Sequence, residues 1–383
     1  MSTYLRIALV PETKQGIVAM DSQDTLDVAK PKYGRRRFLS HGASAVVGLI
    51  SAFAHSGGVL ATSLAKSDRK VRGLVRRLHT VRRLGGNGDG WAMTWASDDS
   101  QFISLNDGTG WPGLPEYEQQ NSEFHNRVYK ISGFPESIQY EYLPGYPNII
   151  NMLNVMSRKG MPDNIPMSDP SLFYGYGIVA ANGRVYQLLS GLTPSTYTEK
   201  DRLSFSGIKL IYSDDNGTTW RNQDGSYPVT FETWPKRSDK CMLFLGGAFS
   251  KLTPLQMGKN YALNKDGYMY IYGPLGNSPG DLRNLALCRV PTPKILERAA
   301  YEFFVQRKRD GSASWSKKEA DARAVHTFPE LQIDAIPFPW AWVPSVAYFA
   351  ALDTYLMFRT AGQPRAGLER AVVNRQTPGA VLG

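Results

Sequence analysis

The stretch Ser213-Asp-Asp-Asn-Gly-Thr-Thr-Trp220 decides how this chain is read. Its spacing describes a turn with its own fastening. Asp215 can fold back to accept turn amides, Gly217 can take a positive φ, and Trp220 can pack against the strand just left. The turn closes the alternating run IKLIYS (208–213), and similar runs recur on both sides of it. FISL (102–105), NRVYKIS (126–132), YGIVAA (176–181), RVYQLLS (184–190), CMLFLG (241–246), YMYIYG (268–273) and LALCRV (285–290) all read as short strands. Asn182-Gly183, Asn216-Gly217 and Asp266-Gly267 signal tight hairpins, where positive φ is needed. Many short strands with regular punctuation predict an all-β sandwich, barrel or propeller. One helix is expected within it: Thr292 caps, Pro293 fills the first turn, and Ile295, Leu296, Ala299, Ala300, Phe303 and Phe304 form its apolar face.

The fastened turn selects among these architectures. Ser213, Asp215, Gly217 and Trp220 fit Ser-x-Asp-x-Gly-x-Thr-Trp, which resembles the Asp-box of sialidase-like β-propellers. The resemblance implies a propeller blade and a structural role for these four residues. It implies no sialidase chemistry, because one such motif supplies neither that family's arginine triad nor its tyrosine nucleophile. At roughly 50 residues per blade, the span from Trp91 to Gly362 predicts a five-bladed β-propeller domain over 87–362.

Of the 383 residues, 44 are Lys or Arg and 34 are Asp or Glu, a net charge of +10. The excess is local. Residues 1–90 hold 15 of the basic and 6 of the acidic residues, leaving 29 basic against 28 acidic in the body. A nearly neutral body argues against a nucleic-acid partner, which needs a clustered basic face. In the leader, Arg35 and Arg36 precede Arg37, Phe38 and Leu39, and a weakly apolar run follows from Ala43 to Ala54. This resembles a twin-arginine export signal, with Ser40 where lysine is usual. Small-x-Ala cleavage positions end at Ala54, Ala61 and Ala65. The run is too short and interrupted for a stable transmembrane span. The leader therefore predicts a signal region at 1–65, the twin-arginine export machinery as a partner, and a periplasmic, cell-envelope or extracellular location. A basic linker follows at 66–86, in which Val71, Leu74, Val75 and Leu78 share one helical stripe. Cys241 and Cys288 allow either a disulfide or two free thiols. No metal-ligand spacing, phosphate loop or serine-hydrolase elbow appears, so neither a metal nor another cofactor is expected.

Several segments together resemble one family, DUF4185. It comprises bacterial exported proteins first grouped as a domain of unknown function, some of which are endo-acting D-arabinanases. The segments are DGWAMTWASDD (89–99), LNDGTGW (105–111), YGYGIVAANGRVYQL (174–188), LIYSDDNGTTW (210–220), MGKNYALNKDGYMYIYG (257–273), CRVPTPKILERAAYEFF (288–304) and ASWS (313–316). The resemblance implies a glycoside hydrolase acting on arabinan or a related furanoside polysaccharide. It also implies that the aspartates flanking the first hairpin, here Asp89 and Asp107, are the catalytic carboxylates.

The residues support that pairing independently. A turn centred near Asp98-Asp99 sets positions 89 and 107 opposite each other. Opposed Cβ atoms in a ladder lie roughly 4.5–5.5 Å apart. Retaining glycosidases hold their carboxyls about 5–5.5 Å apart and inverting ones about 6.5–9.5 Å apart, so either outcome is open. Asp107 is assigned as acid and Asp89 as base, and an exchange of roles is equally consistent. Trp91, Trp95 and Trp111 offer flat faces to a furanose ring, and His125 is a candidate to line the cleft. Lys259 and Asn260 are further candidates for substrate binding, although Asn260 stands where the family commonly has aspartate. Asp98 and Asp99 are expected at the hairpin tip, and Glu116, Glu118 and Glu123 in a solvated loop. Residues 363–383 lack aromatics and strand alternation and read as a divergent or truncated tail. The competing readings are a non-catalytic glycan-binding propeller and an exported propeller with a structural or protein-binding role.

Overall fold

The computed structural model describes residues 7–8, 75–76, 78–80, 88–111, 124–147, 149–150, 173–192, 205–232, 236–246, 248–276, 283–329, 332–333, 336–337, 341–358 and 372–374. Arg35, Arg36, the apolar run after them, Glu116, Glu118 and Glu123 lie outside these residues. Residues 7–77 form a separate unit, in which Ile7–Ala8 pairs antiparallel with Val75–Arg76. Of the helical stripe expected over 66–83, Val71 and Leu74 lie outside the described residues, Val75 is in this extended pair, and Leu78 opens the 3-10 turn Leu78–Thr80. Among the described residues no helix is long and apolar enough to cross a membrane.

The larger unit, which includes 78–383, is all-β. Its first sheet joins β1 (Gly90–Trp95), β2 (Gln101–Asn106), β3 (Phe124–Ser132) and β4 (Gln139–Tyr142) in sequence order, with β5 (Ile149–Ile150) also paired to β3. The second joins β6 (Phe173–Ala181), β7 (Arg184–Leu192), β8 (Phe205–Ser213) and β9 (Arg221–Asn222). The third runs β10 (Thr253–Pro254), β11 (Tyr268–Pro274), β12 (Asn284–Pro291), β13 (Glu302–Arg307) and β14 (Ala313–Ser316), with β15 (Ala324–Thr327) on β12. After the small pair β16 (Gln332–Ile333) and β17 (Ile336–Pro337), a fourth sheet joins β18 (Ser345–Phe349), β19 (Thr354–Phe358) and β20 (Val372–Asn374). Among the described residues every pairing between these strands is antiparallel, and none closes a barrel.

Alternation along the strands explains how the sheets stack. In β6 and β7, Ile178, Ala180, Val185 and Leu189 face a core shared with Phe102 and Val128 of the first sheet. Their neighbours Val179, Ala181, Tyr186 and Leu188 face a larger core shared with Tyr270, Tyr272, Leu287 and Val290 of the third. The second sheet is thus buried on both faces, so its strands read as nearly continuous apolar runs.

The first strands of the sheets meet. β1 lies against β6, β6 against β10, and β10 against β18. Gln256, just beyond β10, ties all four sheets together. Its backbone N donates to Val346 O at 2.8 Å and its O accepts from Tyr348 N at 2.8 Å. Its Nε2 donates to Ile178 O at 2.9 Å, and its Oε1 accepts from Thr94 Oγ1 at 2.9 Å. Thr94 Oγ1 in turn accepts from Ala180 N at 2.8 Å.

The fastened turn forms as a closed hydrogen-bond set. Asp215 Oδ1 accepts from Ser213 Oγ and Thr219 N, each at 2.8 Å, and Oδ2 from Thr219 Oγ1 at 2.6 Å. Gly217 has φ 88°, and Trp220 is buried edge-on to Tyr146 at 4.9 Å. The hairpin at Asn182-Gly183 is tight, with φ 53° and 76°.

Other expectations are corrected. Asn216-Gly217 sits in the longer loop from β8 to β9, and Asp266-Gly267 leads into β11 from a 3-10 turn. The run 241–246 is not a strand; only Phe244 bridges to Ile208, and Met242, Leu243 and Phe244 are buried by packing while Leu245 is exposed. The helix expected from Thr292 is two 3-10 turns, Thr292–Lys294 and Arg298–Ala300, followed by β13. Pairing of Phe303 with Cys288 and of Phe304 with Trp315 gives this backbone its partners in the sheet. Cys241 and Cys288 are free thiols, and burial pushes the Cys288 thiol up. Within 363–383, β20 pairs with β19 although the sequence there announces no strand.

Candidate functional site

The β1–β2 hairpin has a register fixed by its turn. Trp95 pairs with Gln101 and Gly90 with Asn106, so the next opposed positions are Asp89 and Asp107. Asp89 N donates to Asn106 O at 2.8 Å and to Asp107 O at 3.1 Å, which holds the open end together. The chain leaves β2 through Asp107 in the left-handed region, φ 41°, a conformation aspartate tolerates. Gly108 then pairs with Phe124 through two backbone bonds, which sets Asp107 beside His125.

His125 Nδ1 lies 3.1 Å from Asp107 Oδ1. The imidazole is buried, its centroid 4.2 Å from that of Tyr174, and its Nε2 has no hydrogen-bond partner among the described residues. From Tyr174 an aromatic series continues: the Tyr176 ring is parallel at 5.9 Å, Phe205 lies 5.7 Å from Tyr176, and Trp342 lies 6.1 Å from Phe205. Behind the pair, Ser104 Oγ and Asn106 Nδ2 donate to Gly175 O at 3.0 and 2.9 Å, docking the hairpin on β6.

Lys251 closes the group. Gly177 allows its approach, because a Cβ there would meet Leu252 O at 2.3 Å. The Lys251 Nζ stands 3.3 Å from the Trp342 ring centre, 4.1 Å from Phe205 and 4.3 Å from Tyr176. Burial holds this amino group well below its ordinary range, while the charges of Asp89 and Asp107 oppose that shift. The same two carboxylates act on Tyr176. Burial pushes its phenol far up, and Asp107 and Asp89 add to the effect. Two acids, a phenol and an amine therefore share one electrostatic neighbourhood, with Asp89 exposed and Asp107 half-buried.

The remaining candidates lie elsewhere. Trp111 is buried against Trp91, Tyr129 and Tyr140, so it has no face to offer a sugar, contrary to expectation. Trp91 packs in the same cluster and donates to Gly88 O. Trp95 is exposed but bonds Asp99 at the hairpin tip, about 20 Å from the open end at about 3.4 Å per residue. Lys259 pairs with Asp99 at 2.8 Å, also at the tip. Asn260 Oδ1 accepts from Gly183 N at 2.8 Å, a bond that aspartate would make equally well. The departure from the family's usual acid therefore preserves this contact. Sequence reading did not single out Tyr174, Tyr176, Phe205, Lys251 or Trp342. The only signal was a lysine between Phe249 and Leu252, in a short stretch that also holds Ser250 and Thr253. Among the described residues no group of three or more His, Cys, Asp or Glu side chains gathers to hold a metal.

Residues 178–381, more than half of the chain, match the family described as a domain of unknown function, DUF4185. The chain belongs to that family. The match includes Lys251, Asn260 and Trp342 and leaves the β1–β2 hairpin outside it. No curated protein matches. Among solved structures, the chain is 17% identical to a "putative hydrolase" from Bacteroides ovatus, over 73% of this chain and 65% of that one, with a TM-score of 0.39. It is 12% identical to a "putative glycosidase" from Bacteroides thetaiotaomicron, over 72% and 62%, with a TM-score of 0.32. A glycosyl hydrolase from Bacteroides ovatus is 10% identical over 72% and 60%, with a TM-score of 0.31. The chain thus spans less than two thirds of each of these three structures.

Proposed function

We propose that the chain is an exported glycoside hydrolase that cleaves arabinan or a related furanoside polysaccharide with Asp89 and Asp107. In this reading the four larger sheets are blades of a five-bladed β-propeller, and Ser213–Trp220 is the Asp-box of one blade. Residues 1–65 are its twin-arginine signal, and the mature protein acts in the periplasm, the envelope or outside the cell. The observation that carries the reading is the hairpin register, which brings two acids to opposed positions at its open end, Asp107 beside a buried imidazole. Paired carboxyls are what glycoside hydrolysis requires: one protonates the leaving oxygen, and the other attacks or activates water. Asp107 serves as the acid and Asp89 as the base, and His125 positions Asp107.

Incubating the full chain with arabinan, arabinogalactan and xylan, beside Asp89→Asn and Asp107→Asn, tests the reading. Oligosaccharides released by the parent and lost in both variants support it. Cleavage by both variants at the parent's rate removes the assignment. Glycan retention with no product from the parent supports a non-catalytic binding propeller instead.

A further inference from the structure

The caged lysine is hard to account for as a structural element. Lys251 is 3% exposed, yet its amino group makes no hydrogen bond or ion pair among the described residues. The contrast with Lys209 is instructive. That lysine is 1% exposed, but its Nζ reaches Glu232 at 3.0 Å and Cys241 O at 3.4 Å. A buried donor without an acceptor costs stability. Three ring faces repay part of this through cation–π attraction, but they leave the N–H groups without an oxygen. A methionine or leucine would fill the same apolar space without that cost, so packing alone does not explain an amine here.

Its surroundings indicate what the missing acceptor is. A continuous run of contacts links the amine to the acids: Nζ lies 4.3 Å from the Tyr176 ring centre, Tyr176 is parallel to Tyr174 at 5.9 Å, Tyr174 lies 4.2 Å from His125, and His125 Nδ1 lies 3.1 Å from Asp107 Oδ1. Carboxylates at this end of the run repel an anionic ligand. A neutral oxygen that approaches the two acids meets no such penalty. We propose that Lys251 is a substrate-binding residue, donating a hydrogen bond to a hydroxyl or ring oxygen of the sugar unit held at Asp89 and Asp107. Tyr176, Phe205 and Trp342 hold the amine in place. This deepens the glycoside hydrolase reading and rests on it.

The test is binding of arabino-oligosaccharides, prepared by partial hydrolysis of arabinan, to full-length Asp107→Asn with and without Lys251→Met. Calorimetry on the parent and the double variant is read together with thermal unfolding. Loss of a hydrogen-bond donor to the sugar weakens affinity by up to about tenfold. Removal of a buried, unpaired amine leaves the Tm unchanged or raised. Both results together support the proposal, because a merely structural lysine would lower the Tm. Equal affinity in the two proteins overturns it and leaves the glycan reading intact. No binding of any oligosaccharide by Asp107→Asn or by the unmutated protein overturns the glycan reading, and this assignment with it. Should Lys251→Met not fold, Lys251→Gln retains a polar end too short to reach. Unchanged affinity in that variant likewise overturns the proposal.

Discussion

The β1–β2 hairpin carries acids at both ends and treats them in opposite ways. At the tip each aspartate has its own cation. Asp98 meets Lys130 at 2.9 Å and Asp99 meets Lys259 at 2.8 Å. Asp98 also accepts from Ser100 N at 3.2 Å and Ser100 Oγ at 2.5 Å. At the open end, the nearby lysine contacts ring faces instead of the carboxylates, and the imidazole beside Asp107 is buried with one nitrogen unpartnered. Acids whose bonds are completed by the fold are held by it and serve it. Acids left with lone pairs to spare, beside donors that also lack partners, are arranged for something that arrives from outside.

The largest effects are expected at the open end. Asp89→Asn and Asp107→Asn are each expected to lower polysaccharide hydrolysis by about 10²–10⁴-fold, the usual worth of acid–base groups. Thermal midpoints should stay at the parent's value, as measured by circular dichroism. A midpoint that falls with the activity would place these acids with those of the tip.

Gly177→Ala comes next. Its Cβ would meet Leu252 O at 2.3 Å, so the segment carrying Lys251 must move. Denaturant titration should show a loss of about 1–3 kcal/mol, with activity falling before stability becomes limiting. At the tip, Asp98→Asn should cost no more than about 1 kcal/mol and leave hydrolysis unchanged.

That smaller effect carries a pH signature. Burial pushes the Asp98 carboxyl up, but bonds from Ser100 and Lys130 outweigh this and hold it below the ordinary carboxylate range. A carboxyl lowered on folding stabilises while it is ionised in both states, and that stabilisation is lost as pH falls through its folded value. The Tm difference between parent and Asp98→Asn should therefore be full at pH 6 and shrink below about pH 4. Smallest of all, Asp99→Asn should leave hydrolysis within about twofold of the parent, measured on the same arabinan.

Sequence made the tip and its register legible because both are local. Turn residues at Asp98-Asp99 and strict alternation on either side fix which positions oppose, and Asp89 and Asp107 follow by counting. The turn at Ser213–Trp220 was readable for the same reason: donors and acceptors lie within eight residues. The amine at Lys251 was not readable, since its cage is drawn from β6, β8 and the loop before β18, which no spacing relates. The apparent helix after Thr292 shows a further limit. Phe303 and Phe304 are both buried because their strand is covered on both sides. Two adjacent apolar residues then mimic the edge of a helical stripe.

The amide of Gln256 gives the molecule an all-or-none character at its centre. Its side-chain and main-chain bonds are shared among partners that lie more than 250 residues apart, from Thr94 to Tyr348. Partial assemblies leave some of these groups without their mates, so the knot is tied only when the last piece arrives. A defect in any one sheet should therefore be felt by the others, and a hydrogen-exchange experiment would find these central amides opening together.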